Sequence, residues 1–168
     1  MAGNAGSLPR WLKGANRIVI QLQRMGLSLG TMHVLSVPGR KSGQMRTTPV
    51  SLLTLNGQRY VVGGMIEADW VKNARAAGWG ILAHGRKRER VALRELPENE
   101  RAPILRAFPS LVPHGVSFFR QLYGLPRDPS ALPDAFAALS AQSTVFAVNP
   151  LPADAPSLPS ESFPATSH

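Results

Sequence analysis

The stretch Pro38-Gly39-Arg40-Lys41-Ser42-Gly43-Gln44-Met45-Arg46-Thr47-Thr48-Pro49 concentrates the residue types that capture anions, between two apolar runs, His33 to Val37 and Val50 to Leu55. Its two glycines let the backbone turn tightly and come close to a ligand. Arg40, Lys41 and Arg46 supply fixed positive charge, and Ser42, Thr47 and Thr48 supply hydroxyl donors. The natural guest is a phosphate or a carboxylate. A short basic turn taken alone is more often a hairpin tip whose charges face water, so the rest of the chain has to decide between the two.

Other catalytic chemistries are poorly served. The chain has no cysteine, which removes disulfide scaffolding and thiolate catalysis. His33, His84 and His114 share no metal-ligand spacing, and structural or surface roles are the default for them. Gly26-Leu27-Ser28-Leu29-Gly30 matches the G-x-S-x-G elbow by letter, but that serine needs a strand entering and a helix leaving, and here the pattern runs the other way. No G-x-G-x-x-G or H-E-x-x-H occurs, and Lys41-Ser42 lacks the upstream glycine of a P-loop.

The elements around the loop read as a small barrel. Thr31 to Val37, Arg46 to Leu55 and Arg59 to Gly64 are predicted strands, the last two joined by Asn56-Gly57, a strong two-residue hairpin signal. Gly63-Gly64-Met65-Ile66-Glu67-Ala68 leads into a short helix capped at Asp69, stopped by Gly78 and carrying Trp70, Val71, Lys72, Asn73 and Arg75. Trp79 to Ala83 and Glu89 to Leu96 form a second hairpin turned at His84 to Arg88. Strands in such close succession favour a closed or split barrel, which removes sheet edges. From Pro97 the pattern becomes helical, over Glu98 to Phe108, Pro113 to Tyr123 and Pro133 to Ala141, each begun near a proline. Ser143 to Val148 is expected to return as a last strand.

The termini read differently. Leu8, Trp11, Leu12, Ala15, Ile18, Val19, Leu22 and Met25 recur at helical spacing, with basic residues mostly opposite, predicting a helix over 7–29. Packing of its apolar stripe on its own domain is the expected use, with peripheral membrane contact as the alternative. Beyond Asn149, proline and serine without apolar period predict a disordered tail over 150–168. The domain expected is therefore 1–149, with a barrel core at 31–96, helices at 97–142 and the last strand at 143–149.

Of 168 residues 43% are hydrophobic, enough for one globular domain with a real core. The net charge of +9 is uneven: residues 1–94 hold 15 Lys and Arg against Glu67, Asp69 and Glu89, a net of +12, whereas 95–168 hold 4 against 7, a net of −3. The positive field surrounds the loop and would attract a polyanionic cofactor, nucleic acid or an anionic membrane surface. The hairpin His84-Gly85-Arg86-Lys87-Arg88-Glu89-Arg90 argues for nucleic acid, but few aromatics interleave with those charges, and no nucleic-acid partner is expected. With no run of about 18 apolar residues and no signal-peptide pattern, a cytoplasmic protein is expected, membrane association through the 7–29 helix being the alternative.

Gly39-Arg40-Lys41-Ser42-Gly43-Gln44, then Arg46 and Pro49, followed after the glycine-rich break by Trp70-Val71-Lys72-Asn73, resembles the deazaflavin-dependent nitroreductase family of split β-barrel oxidoreductases, which use coenzyme F420. The similarity runs from about Met32 to Ala92, with an echo at Val145 to Val148. It implies a mainly β fold with flanking helices, a split barrel of the FMN-binding-like type. It also implies that Arg40, Lys41, Ser42 and Arg46 hold the phosphate and polyglutamate end of the coenzyme, and that Thr47, Thr48, Pro49, Val50 and Ser51 line its ribityl chain and ring. Gly63, Gly64 and Met65 would pass close to the deazaflavin, and Trp70 and Asn73 would close the phosphate side. The activity implied is hydride transfer to an electron-poor small molecule, such as a quinone, nitroaromatic or activated alkene. The protein then supplies binding and orientation, and no acid–base dyad is required. Members reducing nitroaromatics or quinones usually place tyrosines around the substrate, whereas this chain has Ser51 after Pro49-Val50 and only Tyr60 and Tyr123. Tyr60 is expected in the core; Tyr123 with Phe118 and Phe119 is the candidate substrate wall. FMN is the alternative cofactor, because one fold can accept either flavin; a homodimer is the expected assembly, on resemblance alone.

Overall fold

The computed structural model describes residues 32–152 together with Arg17 and Asp154. Apart from Arg17, the predicted 7–29 helix lies outside the described residues, as does nearly all of the 150–168 tail. Six strands, β1 (Met32–Pro38), β2 (Met45–Leu55), β3 (Gln58–Gly63), β4 (Trp79–His84), β5 (Lys87–Glu95) and β6 (Thr144–Pro150), close into an antiparallel barrel in the order β1-β2-β3-β6-β5-β4. Among the described residues from 32 onward, four helices accompany them: α1 (Asp69–Ala77), α2 (Glu98–Leu111), α3 (Val116–Tyr123) and α4 (Leu132–Ala137). The expected barrel with flanking helices is the fold observed.

Alternation along the strands builds two cores from one sheet. In β6, Phe146 and Val148 point into the barrel, where they meet Leu35, Val61 and Val91, while Val145 and Ala147 face outward onto Leu105, Phe108, Phe119 and Phe136 of the helices. In β3, Val61 faces in and Val62 out. Successive strand side chains leave opposite faces, so a slip of one residue would exchange the two cores. Register is fixed by that pattern and by the turns. Asn56 (φ 51°) and Gly57 (φ 77°) take the left-handed conformations that a two-residue hairpin needs.

Several predicted boundaries move. The turn expected over His84 to Arg88 shrinks to Gly85-Arg86, because Gly85 (φ 60°) suits the first position of a two-residue loop and the flanking basic residues can remain in the ladder. Asp69 is the first helical residue of α1, not its cap; Ala68 occupies the capping position, and the carboxylate complements the positive end of the helix instead. α2 runs three residues past Phe108 to Leu111 despite Pro103 and Pro109. The helix expected over Pro113 to Tyr123 divides into a 3₁₀ turn, Pro113–Gly115, and α3, while that over Pro133 to Ala141 ends at Ala137. Tyr60 is only half-buried, packed against the helix-side core.

One polar network ties the helices to the barrel. Glu95, closing β5, accepts Arg75 Nε at 2.6 Å and Arg75 Nη2 at 2.9 Å from α1, and Thr144 Oγ1 at 2.6 Å from β6. Arg101 of α2 is buried at 7% exposure and donates to Leu96 O (2.9 Å), Ser140 O (3.0 Å) and Ser143 O (2.9 Å), with a longer approach of 3.5 Å to Glu95.

Candidate functional site

The loop between β1 and β2 is braced from within. Gly39 N donates to Gln44 O and Gly43 N to Gly39 O, both at 2.8 Å, and Gly43 sits at φ 71°. Ser42 Oγ accepts Gln44 N at 3.2 Å. α1 holds the loop from outside: Asn73 Oδ1 accepts both Arg40 N at 3.1 Å and Arg40 Nη1 at 2.8 Å. Asn73 is 5% exposed, so its carbonyl serves those two donors away from bulk water. Arg40 Nη2 completes the clamp on Asp69 at 3.1 Å, an exposed pair that contributes little by itself. Asn73→Ala is expected to cost about 1–3 kcal/mol, because it strands part-buried donors of Arg40. A lower urea midpoint at unchanged slope would show it.

Two cavities flank this clamp. The first, of about 360 Å³, is lined by Gly39, Arg40, Lys41, Ser42, Arg46, Asp69 and Asn73. Arg40 is engaged by α1, which leaves Lys41 and Arg46, both exposed, as the cations available to a ligand. The second, of about 240 Å³, is mainly apolar: Thr48, Pro49, Val50 and Ser51 of β2 and Gly64, Met65 and Trp70 form one part of its wall. Phe108, Phe118, Phe119 and His114 from the helical segment form another.

The sequence-predicted residues thus divide. Arg40, Lys41, Ser42, Arg46 and Asn73 line the basic cavity, while Thr48, Pro49, Val50, Ser51, Gly64, Met65 and Trp70 line the apolar one. Trp70 therefore stands on the apolar side and not, as expected, beside Asn73 on the anion side. Thr47 and Gly63 line neither. Thr47 shares a 3.0 Å hydrogen bond with Ser36, and Gly63 is small for packing, since a Cβ there would lie 2.9 Å from Thr144 Cγ2 and 3.0 Å from Trp70 Cζ2. Gly64 packs as closely on the helical wall, where a Cβ would come within 2.7 Å of Phe118 Cε1.

Tyr123 lines neither cavity. Its hydroxyl donates to Gly64 O and, at 3.3 Å, to Gln142 O, and burial pushes its ionisation upward. It fixes the Gly64 backbone, leaving Phe118 and Phe119 as the aromatic wall. Sequence reasoning missed Asp69 in the basic cavity, and Phe108 and His114 in the apolar one. Asp69 immediately precedes the recognised Trp70-to-Asn73 run and could have been found beside it; Phe108 and His114 arrive through helix packing and carry no local signal.

A basic cavity and a mainly apolar, aromatic-walled one, both drawing residues from β2 and α1, sit on a six-stranded antiparallel barrel. Residues 13–115 match the family described as F420H(2)-dependent quinone reductase, and the chain belongs to that family. It is accordingly a deazaflavin-dependent reductase. Among solved structures, one described as a domain-swapped dimer is 18% identical with a TM-score of 0.51, over 83% of this chain and 97% of that one. The protein Atu2129 of Agrobacterium tumefaciens str. C58, of unknown function, is 13% identical with a TM-score of 0.50, over 86% of this chain and 57% of that one. Both share the fold. The F420-H2 dependent reductase FDR-A is 20% identical with a TM-score of 0.48, over 71% of this chain and 94% of that one. No curated protein matches the chain. Among the described residues, no helix is long and apolar enough to cross a membrane.

Proposed function

We propose that the two cavities form one coenzyme site, with the phosphate and carboxylate end of F420 in the basic cavity and its ring in the apolar one, and that the electron acceptor is a quinone or another electron-poor conjugated molecule. The observation that carries this reading is that the same two elements supply both cavities: on β2 Arg46 lines one and Thr48 to Ser51 the other, and on α1 Asn73 lines one and Trp70 the other. The donor set fits the coenzyme, since Lys41 and Arg46 suit a multiply charged chain and the mainly apolar, aromatic-lined second cavity suits a ring. When bound, the reduced deazaflavin supplies the hydride. The protein's part is to hold the acceptor between Phe118, Trp70 and the glycine-bounded segment, to exclude water with those aromatic faces, and to keep the reacting atoms in near-attack geometry.

The test is titration of the purified protein with F420 and with FMN in parallel, read by tryptophan quenching, followed by oxidation of reduced F420 with menadione as acceptor. Micromolar or tighter binding of F420 alone, with turnover on the quinone, is the expected result. Preferential binding of FMN would keep the fold and overturn the cofactor assignment; binding of neither would overturn the site. We extend the same proposal to a homodimer, following the assembly named for one structural neighbour.

A further inference from the structure

Conjugated acceptors need more than a hydride. When hydride adds to a quinone or an enone, a C–H bond forms and the displaced π pair settles on the carbonyl oxygen, which must gain a proton before the neutral product leaves. The apolar cavity contains two kinds of group able to meet that oxygen. Thr48 and Ser51 are hydroxyls, which can donate a hydrogen bond but do not give up a proton readily near neutral pH. His114 is the one ionisable side chain among the described lining residues.

We infer that His114 is the proton donor to the reduced acceptor, an inference that rests on the proposed function. Three features support it. His114 lies on the rim of the cavity, exposed, so that solvent can reprotonate it after each turnover. Its backbone is firmly seated in the 3₁₀ turn Pro113–Gly115, where a Cβ on Gly115 would come 2.8 Å from Phe108 Cζ and 3.2 Å from Val112 Cγ1, so only glycine lets the turn pack down this closely. The wall facing it from β1, β2, β3, α1, α2 and α3 presents no other titratable or charged group among the lining residues, so any proton that moves within the cavity comes from this ring or from water. In the step, the imidazolium N–H bond breaks with its electron pair left on nitrogen, and an O–H bond forms on the acceptor. Hydride and proton together complete the two-electron, two-proton reduction; for a quinone, the ring carbon that received hydride then loses a proton to water as the second oxygen gains one, a tautomerisation to the hydroquinone with no net change in protons.

The experiment compares wild type with His114→Gln and His114→Asn, which keep hydrogen bonding at the rim without a transferable proton in the neutral range. F420 affinity is expected to stay within about twofold, while menadione reduction falls about 100-fold, the lower end of the usual worth of general acid catalysis because water can substitute at an open site. In the wild type the rate is expected to show a solvent deuterium isotope effect, and in both variants that effect should vanish. A second readout needs no turnover: titrating coenzyme-free protein with 2-hydroxy-1,4-naphthoquinone, an anionic mimic of the product oxygen, should shift the His114 ring proton signals in the NMR spectrum. Equal rates and isotope effects in wild type and variants, or unmoved His114 signals, would overturn the inference while leaving the coenzyme site intact. Wild type that neither binds F420 nor passes hydride would overturn the proposed function and this inference with it.

Discussion

Arg101→Met is expected to lower stability by about 3–5 kcal/mol, the usual cost of removing one partner from a buried charged network. The guanidinium does two jobs that methionine cannot. It donates to the carbonyls of Leu96, Ser140 and Ser143, which lie at the start of α2 and on the approach to β6, and it balances part of the Glu95 charge. Arg75 would still pair with Glu95, so the loss concentrates on the three carbonyls and on the packing between α2 and α4. Urea unfolding, with the midpoint lowered and the slope kept, reads the effect; an unshifted midpoint would mean that the network contributes nothing net. The same network gives an acid limit. The Arg75 hydrogen bonds hold the Glu95 carboxyl below its usual value, with further help from Thr144 and Arg101. A depressed carboxylate stabilises the fold above its unfolded pKa, and that contribution is lost as pH falls through the lower folded value. Glu95→Gln should therefore flatten stability against pH on the acid side.

Lys41→Ala combined with Arg46→Ala is expected to weaken F420 binding about 100-fold, from roughly 1.4 kcal/mol for each charge-assisted contact at an exposed site. The fold should not suffer, because neither side chain bears on the core. Added salt should weaken wild-type binding far more than binding by the double variant, since exposed charges are screened over about 10 Å at 0.1 M. Arg40→Ala differs in kind: its guanidinium already serves Asn73 and Asp69, so both stability and binding should fall. Equal salt dependence in wild type and double variant, measured by isothermal titration, would show that these two cations do not meet the coenzyme.

The comparison of sequence with structure turns on how local each signal was. Asn56-Gly57 foretold a hairpin because two left-handed residues in a row leave the chain few alternatives. Gly39 to Gly43 read as an anion loop because its cations and glycines are contiguous. The burial of Asn73 was hidden: on sequence it was a polar residue on a short helix, and only the approach of Arg40, 33 positions earlier, explains why it can be withdrawn from water. Trp70 was placed on the wrong cavity for a related reason, since spacing along a helix gives its face but not what that face meets. Phe118 and Phe119, expected as a substrate wall, do line the apolar cavity, whereas Phe108 and His114 join it through the way the helical segment docks, which no periodicity encodes. The Glu95 network joins Arg75, Arg101 and Thr144 across 20, 6 and 49 positions, and a pattern that scattered leaves no mark in any window of sequence.

The strand order carries a consequence for how the chain is made. β6 lies between β3 and β5, yet it is the last of the six described strands to leave the ribosome, after all four described helices and some 80 residues beyond β3. Until it arrives, β3 and β5 each present an unpaired row of backbone donors and acceptors, and the inward faces of both stay wet. A nascent chain in that condition is an open template for neighbouring chains. Synthesis that stalls before residue 144 should therefore yield insoluble product, while release of the complete strand seals the sheet in one move.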